Sequence, residues 1–144
     1  MIKYLKANSE DIESIMRLLA ANDLPNSDVK DNPIKFIVAK SEGDIVGCIG
    51  LEIYETDGLL RSFAVEPSSR NKGIGAELYK NLLSFALENK VKTLHLLTTT
   101  AKDYFLKKGF KVTDKNQAPI GIKKSSEFDG LCPVSCTYMV KNII

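Results

Sequence analysis

The stretch Val65-Glu66-Pro67-Ser68-Ser69-Arg70-Asn71-Lys72-Gly73-Ile74-Gly75-Ala76-Glu77-Leu78 decides how this chain is read. Before it, LLRSFAV at 59–65 is a strand-like run, and Pro67, with no N–H to give a ladder, stops it. After it, Ile74, Leu78, Leu82 and Phe85 recur at helical spacing, with Leu83, Ala86 and Leu87 widening the stripe to about Asn89. Between strand and helix, Gly73 and Gly75 allow close approach to the backbone. The first N–H groups of the helix lie unpaired at the positive end of its dipole. A diphosphate fits that chemistry, and Arg70 and Lys72 add cationic groups. On these residues alone, a glycine-rich helix entry that binds nothing explains the pattern as well.

Working outward toward the N-terminus, residues 2–6 read as a short strand. Ser9 is placed to cap a helix carrying Ile12, Ile15, Met16 and Leu19, with Glu10 and Asp11 at its positive end. The stretch 22–34 holds two prolines and many turn formers and reads as a surface connection. KFIVAKS and DIVGCIGLEIYE form a hairpin about Glu42-Gly43-Asp44, and a second turn at Thr56-Asp57-Gly58 leads back to the opening strand, completing a three-stranded meander. Beyond the long helix, TLHLLT reads as a buried strand, AKDYFLKK as a short helix ended by Gly109, and FKVT and CTYMVK as further strands. The order implies a mixed α/β (α+β) sandwich in which a meander is followed by a right-handed, locally parallel strand-helix-strand crossover. Ligands tend to sit at the C-terminal ends of strands near such a switch point.

Composition narrows the function classes. One domain over 1–144 is expected from 144 residues that are 44% hydrophobic. A net charge of +2 gives no general reason for a nucleic-acid or acidic-surface partner, so any anion site is local. Three cysteines, Cys48, Cys132 and Cys136, are too few for a disulfide-built secreted fold and suggest reduced thiols in a cytoplasmic protein. No run has signal-peptide or membrane-span character. Neither monomer nor homodimer is fixed by the sequence.

Two patterns occur together: V-x-P-x-x-R-x-x-G-x-G after a meander strand, and A-x-x-aromatic-aromatic-x-x-x-G-F at Ala101 to Phe110. With the order of elements, they resemble the GCN5-related N-acetyltransferase (GNAT) superfamily over most of the chain. The resemblance implies a mainly antiparallel sheet splayed between its fourth and fifth strands, with helices on both faces, and acetyl-CoA as co-substrate without a metal. It implies that backbone amides of Arg70, Asn71, Lys72, Gly73, Ile74, Gly75 and Ala76 hold the coenzyme A pyrophosphate. Phe63, Ala64 and Val65 would meet the pantetheine and thioester, and a backbone N–H among them would steady the oxyanion. Thr98 stands where the family often has Asn, and its hydroxyl can still reach the cofactor.

Amine acylation needs a neutral amine, a polarised carbonyl and a proton for the departing thiolate. Direct attack in a ternary complex is the family's route. The family's usual acid, a tyrosine four residues before the Gly of G-F, is Phe105 here, with Tyr104 one place earlier. Tyr104 is therefore the candidate acid or, turned about 100° around the helix, a wall tyrosine, and water can also supply the proton. Glu52, on the face of its strand shared by Cys48, Gly50 and Tyr54, is either the base or amine anchor or a solvated carboxylate. Arg61 either binds an acceptor carboxylate or covers the sheet with its stem. His95, between leucines, reads as a satisfied core histidine.

The tail, with S-E-F-x-x-L-C-P-x-S before the last strand, resembles small acetyltransferases of arsenic-resistance operons and the acetyltransferase domain of N-acetylglutamate synthases. By that likeness the acceptor is a small-molecule amine, an acidic amino acid or amino-acid-like toxic analogue, with Arg61, Lys123, Lys124 or Ser126 meeting its carboxylate. Cys132 and Cys136 could offer soft-metal ligands or be two partly buried thiols. A reading from a different class is a non-catalytic acyl-CoA-binding or interaction module, motivated by Phe105. A P-loop nucleotide site is disfavoured because Lys72 precedes Gly73 rather than following it.

Overall fold

A computed structural model describes residues 1–31, 33–128 and 136–144. Its strands are β1 (Ile2–Lys6), β2 (Lys35–Ser41), β3 (Asp44–Tyr54), β4 (Asp57–Val65), β5 (Thr93–Thr98), β6 (Lys111–Val112) and β7 (Thr137–Asn142). Its helices are α1 (Ile12–Ala21), α2 (Ile74–Glu88), α3 (Lys102–Lys107) and α4 (Ile120–Lys123). The strands form one seven-stranded sheet in the order β1-β2-β3-β4-β5-β7-β6. The expected meander, crossover and mainly antiparallel pairing are all present, and β4 and β5 are the parallel pair.

That parallel ladder is short. It runs from Asp57↔Thr93 to Leu59↔His95, although β4 continues to Val65 and β5 to Thr98. The pairing of the two strands ends at Leu59↔His95. Part-way along β4, Ser62 takes a left-handed φ of 54°, and its carbonyl accepts from Cys48 Sγ at 3.2 Å. A left-handed non-glycine residue breaks the strict alternation of a strand and marks a bulge. Burial pushes the Cys48 thiol up to about 12, although a backbone hydrogen bond at Ala64 works the other way.

The chain packs as two compact units. In the first (1–52 and 62–85), Ile15, Leu18 and Leu19 of α1 cluster with Phe36, Val38, Cys48 and Ala64, all buried. Ile15 and Leu19 are from the stripe expected from the sequence, whose Ile12 and Met16 pack partly buried beside them; Leu18 widens it, and together they meet alternate residues of three strands. Ser9 does not cap α1: Ser9–Asp11 forms a 3-10 turn that leads into it, and α1's own N-cap, Asp11, makes no side-chain cap bond. The turn is what is capped, because the Asn8 side chain accepts from the Glu10 N–H at 2.9 Å while the Asn8 N–H donates to Asp11 Oδ2 at 2.9 Å, a reciprocal capping box. Burial alone would raise the Asp11 pKa, but the Asn8 N–H and Lys40, 3.0 Å away, outweigh it and hold the carboxyl below its ordinary range.

In the second unit (53–61 and 86–144), Leu59, Ala118, Ile122 and Tyr138 form a buried cluster flanked by Tyr54, Leu97, Phe128 and Val140. The turn before β4 lies at Glu55-Thr56 rather than Thr56-Asp57-Gly58, because Glu55 itself adopts φ 58° and leaves Asp57 and Gly58 to the strand. The single-turn helix α4 and the 3-10 turn Lys115–Gln117 were not expected. Gly121 explains the closeness of α4: a Cβ there would lie 2.9 Å from Tyr54 Cβ. Gly109, at φ 92°, ends α3 as expected.

Candidate active site

The segment from Val65 to Leu78 lies wholly in the first unit. Pro67–Ser69 forms one 3-10 turn, after which Asn71 and Gly73 both take left-handed conformations, φ 65° and 79°. The Glu77 N–H donates to the Gly73 carbonyl at 3.1 Å, so the amides of Ile74, Gly75 and Ala76 lie ahead of the first intrahelical bond of α2. Such amides at a 15-residue helix present fixed donors and a positive dipole end. A Cβ built on Gly73 meets nothing within 4 Å, so the turn opens onto free space where a diphosphate could approach the backbone. The geometry therefore suits the pyrophosphate of coenzyme A.

Individual residues refine that picture. The Arg70 guanidinium braces the turn, with Nε 3.4 Å from the Val65 carbonyl and Nη2 bonded to Asn22 Oδ1 at the end of α1. Its N–H is 3.4 Å from the Pro67 carbonyl. Lys72 is exposed. A Cβ on Gly75 would lie 3.6 Å from Phe63 Cζ and 3.9 Å from Val65 Cγ2, so Phe63 and Val65 share the α2 side of β4. Ala64 faces the α1 cluster instead, which leaves its backbone for any ligand contact. Glu52, near the end of β3, is buried at 1% exposure and is not a solvated edge carboxylate.

The second unit holds the other candidates. Arg61 is buried at 2% exposure, its Nη1 3.5 Å from Ser126 Oγ and its Nη2 3.9 Å from Glu127 Oε2. The structure thus joins Arg61 and Ser126, both named from sequence, and adds Glu127, which was not. Lys123 and Lys124 are exposed at the end of α4. The Thr98 hydroxyl accepts from the Ala101 N–H at 2.9 Å, keeping its own proton free to donate. Phe105 is buried edge-on against Phe110 (5.4 Å between centroids), whereas Tyr104 is 38% exposed. Burial of its ring raises the Tyr104 phenol pKa, so it is protonated at neutral pH. Cys136 is buried and disulfide-bonded rather than a reduced thiol, and Cys132 lies outside the described residues. Among the described residues, no group of three or more His, Cys, Asp or Glu side chains could hold a metal ion, and no helix is long and apolar enough to cross a membrane.

His95 is satisfied, as expected, through partners the sequence did not reveal. Its Nε2 lies 2.8 Å from Asp57 Oδ1 and its Nδ1 2.6 Å from the Tyr138 hydroxyl. Burial, reinforced by the Asp57 charge, pushes the Tyr138 phenol up to about 12, so the phenol keeps its proton. In the tautomer that carries its proton on Nε2, the imidazole donates to the Asp57 carboxylate and accepts the phenol proton at Nδ1. His95→Leu is expected to cost about 3 kcal/mol, roughly 10 °C in Tm by thermal denaturation, because it strands the buried Tyr138 hydroxyl. Adding Tyr138→Phe removes the stranded group, so the double variant should be less destabilised than the sum of the singles.

Residues 32–112, more than half of the chain, match the family profile described as an acetyltransferase (GNAT) domain. An amino-acid acetyltransferase from Pseudomonas fluorescens is 34% identical over 87 residues, 59% of this chain and 20% of that protein. One from Ralstonia nicotianae is 28% identical over 119 residues, 76% and 26% respectively. The chain thus spans only 20% and 26% of the length of these relatives. Among solved structures, N-acetylglutamate synthase from Neisseria gonorrhoeae, complexed with coenzyme A and N-acetylglutamate, superposes with a TM-score of 0.84 at 20% identity, covering 100% of this chain and 35% of that one. Rv2747 from Mycobacterium tuberculosis, in complex with CoA, gives 0.81 at 20% identity and covers 99% of both chains. These superpositions show a shared fold.

Proposed function

The chain belongs to the GNAT acetyltransferase family, and on that premise we propose that it moves an acetyl group from acetyl-CoA to the primary amine of a small molecule. The acceptor class is an acidic amino acid or an amino-acid-like analogue. The observation that carries the donor half is the turn at Asn71 and Gly73, left-handed at both residues and open to space ahead of α2. The acceptor half is supported by the likeness to amino-acid acetyltransferases and by a buried arginine beside a serine hydroxyl.

When bound, acetyl-CoA supplies an activated thioester. The chain's own residues bind, orient and exclude water. The amides of Asn71 to Ala76 hold the pyrophosphate, with the Arg70 side chain bracing the turn. The backbone at Phe63, Ala64 and Val65, beyond the bulge at Ser62, lines the thioester arm and offers an N–H to the developing oxyanion. Thr98 donates its hydroxyl proton to the cofactor. Arg61 and Ser126 hold an acceptor carboxylate. Glu52 removes the proton that keeps the amine from attacking. Tyr104 or water returns a proton to the thiolate. Holding both substrates in attack geometry recovers roughly 7–11 kcal/mol of the barrier in well-oriented systems.

A second reading, favoured by Phe105 in the usual tyrosine position, is an acyl-CoA-binding module without turnover. Isothermal titration with acetyl-CoA, followed by a thiol-release assay over all amino acids, separates the two. Binding with release of coenzyme A thiol for at least one acidic amino acid or analogue is the expected result. Binding without release across the panel supports the module, and no binding at millimolar donor removes the coenzyme A reading.

A further inference from the structure

Two adjacent residues of β3 grip the diphosphate turn from both sides. Between β2 and β3 the register passes from Lys40↔Ile45 to Ala39↔Gly47, so Val46 is an extra residue, a bulge that frees its backbone from the β2 ladder. The Val46 carbonyl instead accepts the Glu66 N–H at 2.8 Å, immediately before Pro67. The chain entering the turn is therefore tied to β3 at Val46. Its exit is seated on the next residue: a Cβ on Gly47 would lie 2.9 Å from Leu78 Cδ1, 3.2 Å from Ile74 Cγ2 and 3.4 Å from the Ala64 carbonyl. Ile74 and Leu78 are the first-turn and second-turn contacts of α2 and are 1% and 0% exposed, so they have little room to yield.

We infer that Val46 and Gly47 are positioning residues for donor binding, setting the height and angle at which the amides of residues 71–76 meet the diphosphate. Neither touches the ligand. A glycine in a strand interior costs conformational entropy and offers no packing, and it is retained where another element must approach closely. Here the close neighbour is the helix whose first turn forms the anion site. Adding one methyl at 47 moves Leu78 and Ile74 outward by several tenths of an ångström and tilts that turn, while leaving its composition and charge unchanged. The bulge at Val46 keeps the entering chain fixed, so the displacement falls on the amides themselves.

The inference rests on the coenzyme A reading and is tested by isothermal titration of coenzyme A into the full chain. Gly47→Ala is expected to weaken Kd about tenfold, the equivalent of about 1.4 kcal/mol of binding. Leu78→Val removes the δ carbon that the new methyl meets, so Gly47→Ala/Leu78→Val is expected to bind within about threefold of wild type. All affinities are read on the folded chain well below its unfolding temperature, where a loss of stability alone leaves Kd unchanged. If Gly47→Ala does not fold, Glu66→Pro, which suits the φ of −53° at that position and removes the N–H bonded to the Val46 carbonyl, is expected to weaken the coenzyme A Kd about threefold, and an unchanged Kd overturns the inference. A wild-type chain that binds no coenzyme A overturns the donor reading beneath it. Wild-type binding with an unchanged Gly47→Ala affinity, or a double variant that binds no better than the single, overturns the positioning role alone.

Discussion

Gly73→Val is expected to weaken acetyl-CoA binding about a hundredfold. Gly73 sits at φ 79°, where a Cβ costs about 1–2 kcal/mol and a β-branched side chain more. Escaping that strain rotates the amides on either side out of the turn, and each hydrogen bond to a charged group contributes about 1.5–3 kcal/mol. Relaxed strain and one or two lost bonds together give roughly 3 kcal/mol, or about two decades in Kd. The fold should survive, because the new side chain meets no atom within 4 Å at its Cβ. Titration calorimetry gives the affinity and thermal denaturation the stability. An intact fold with unchanged affinity would separate this turn from the donor site.

Glu52→Gln is expected to lower turnover about a hundredfold, the lower end of what a positioned general base contributes, with the acetyl-CoA Kd nearly unchanged. Glutamine keeps the length, planarity and hydrogen-bonding reach of the side chain but cannot take a proton. Glu52 is 1% exposed on a strand otherwise lined by buried apolar residues, and glutamine fills the same volume there. Single-turnover rates at saturating donor and acceptor measure the effect. Full turnover in the variant would leave Glu52 without a role as base.

What could be read from sequence follows from how local each constraint is. The Pro67 stop, the Gly73 turn and the α2 stripe impose themselves on the backbone within a few residues, so their order exposed both the fold and the anion turn. Val46 and Gly47 escaped notice because a bulge carries no residue signature and the close approach of Leu78 depends on packing 31 positions later in the chain. His95 was legible as a core histidine, but Tyr138 stands 43 residues away and reaches it only because β5 and β7 pair. Glu127 was passed over because a carboxylate in a polar tail looks solvated until Arg61 is seen beside it. Asn8 and Ser9 are both good caps, and only the reach of Asp11 back to the Asn8 N–H chose between them.

The sheet ends at β1 on one border and at β6 on the other. An open border offers a row of unpaired donors and acceptors to any extended chain, which is how sheets recruit one another into aggregates. At one end β6 is only two residues long and exposed, too short to template a foreign strand. At the other, β1 presents Lys3 and Lys6 to solvent, where a second copy would bring like charges together. The borders are thus guarded against strand addition by brevity at one end and by like charge at the other.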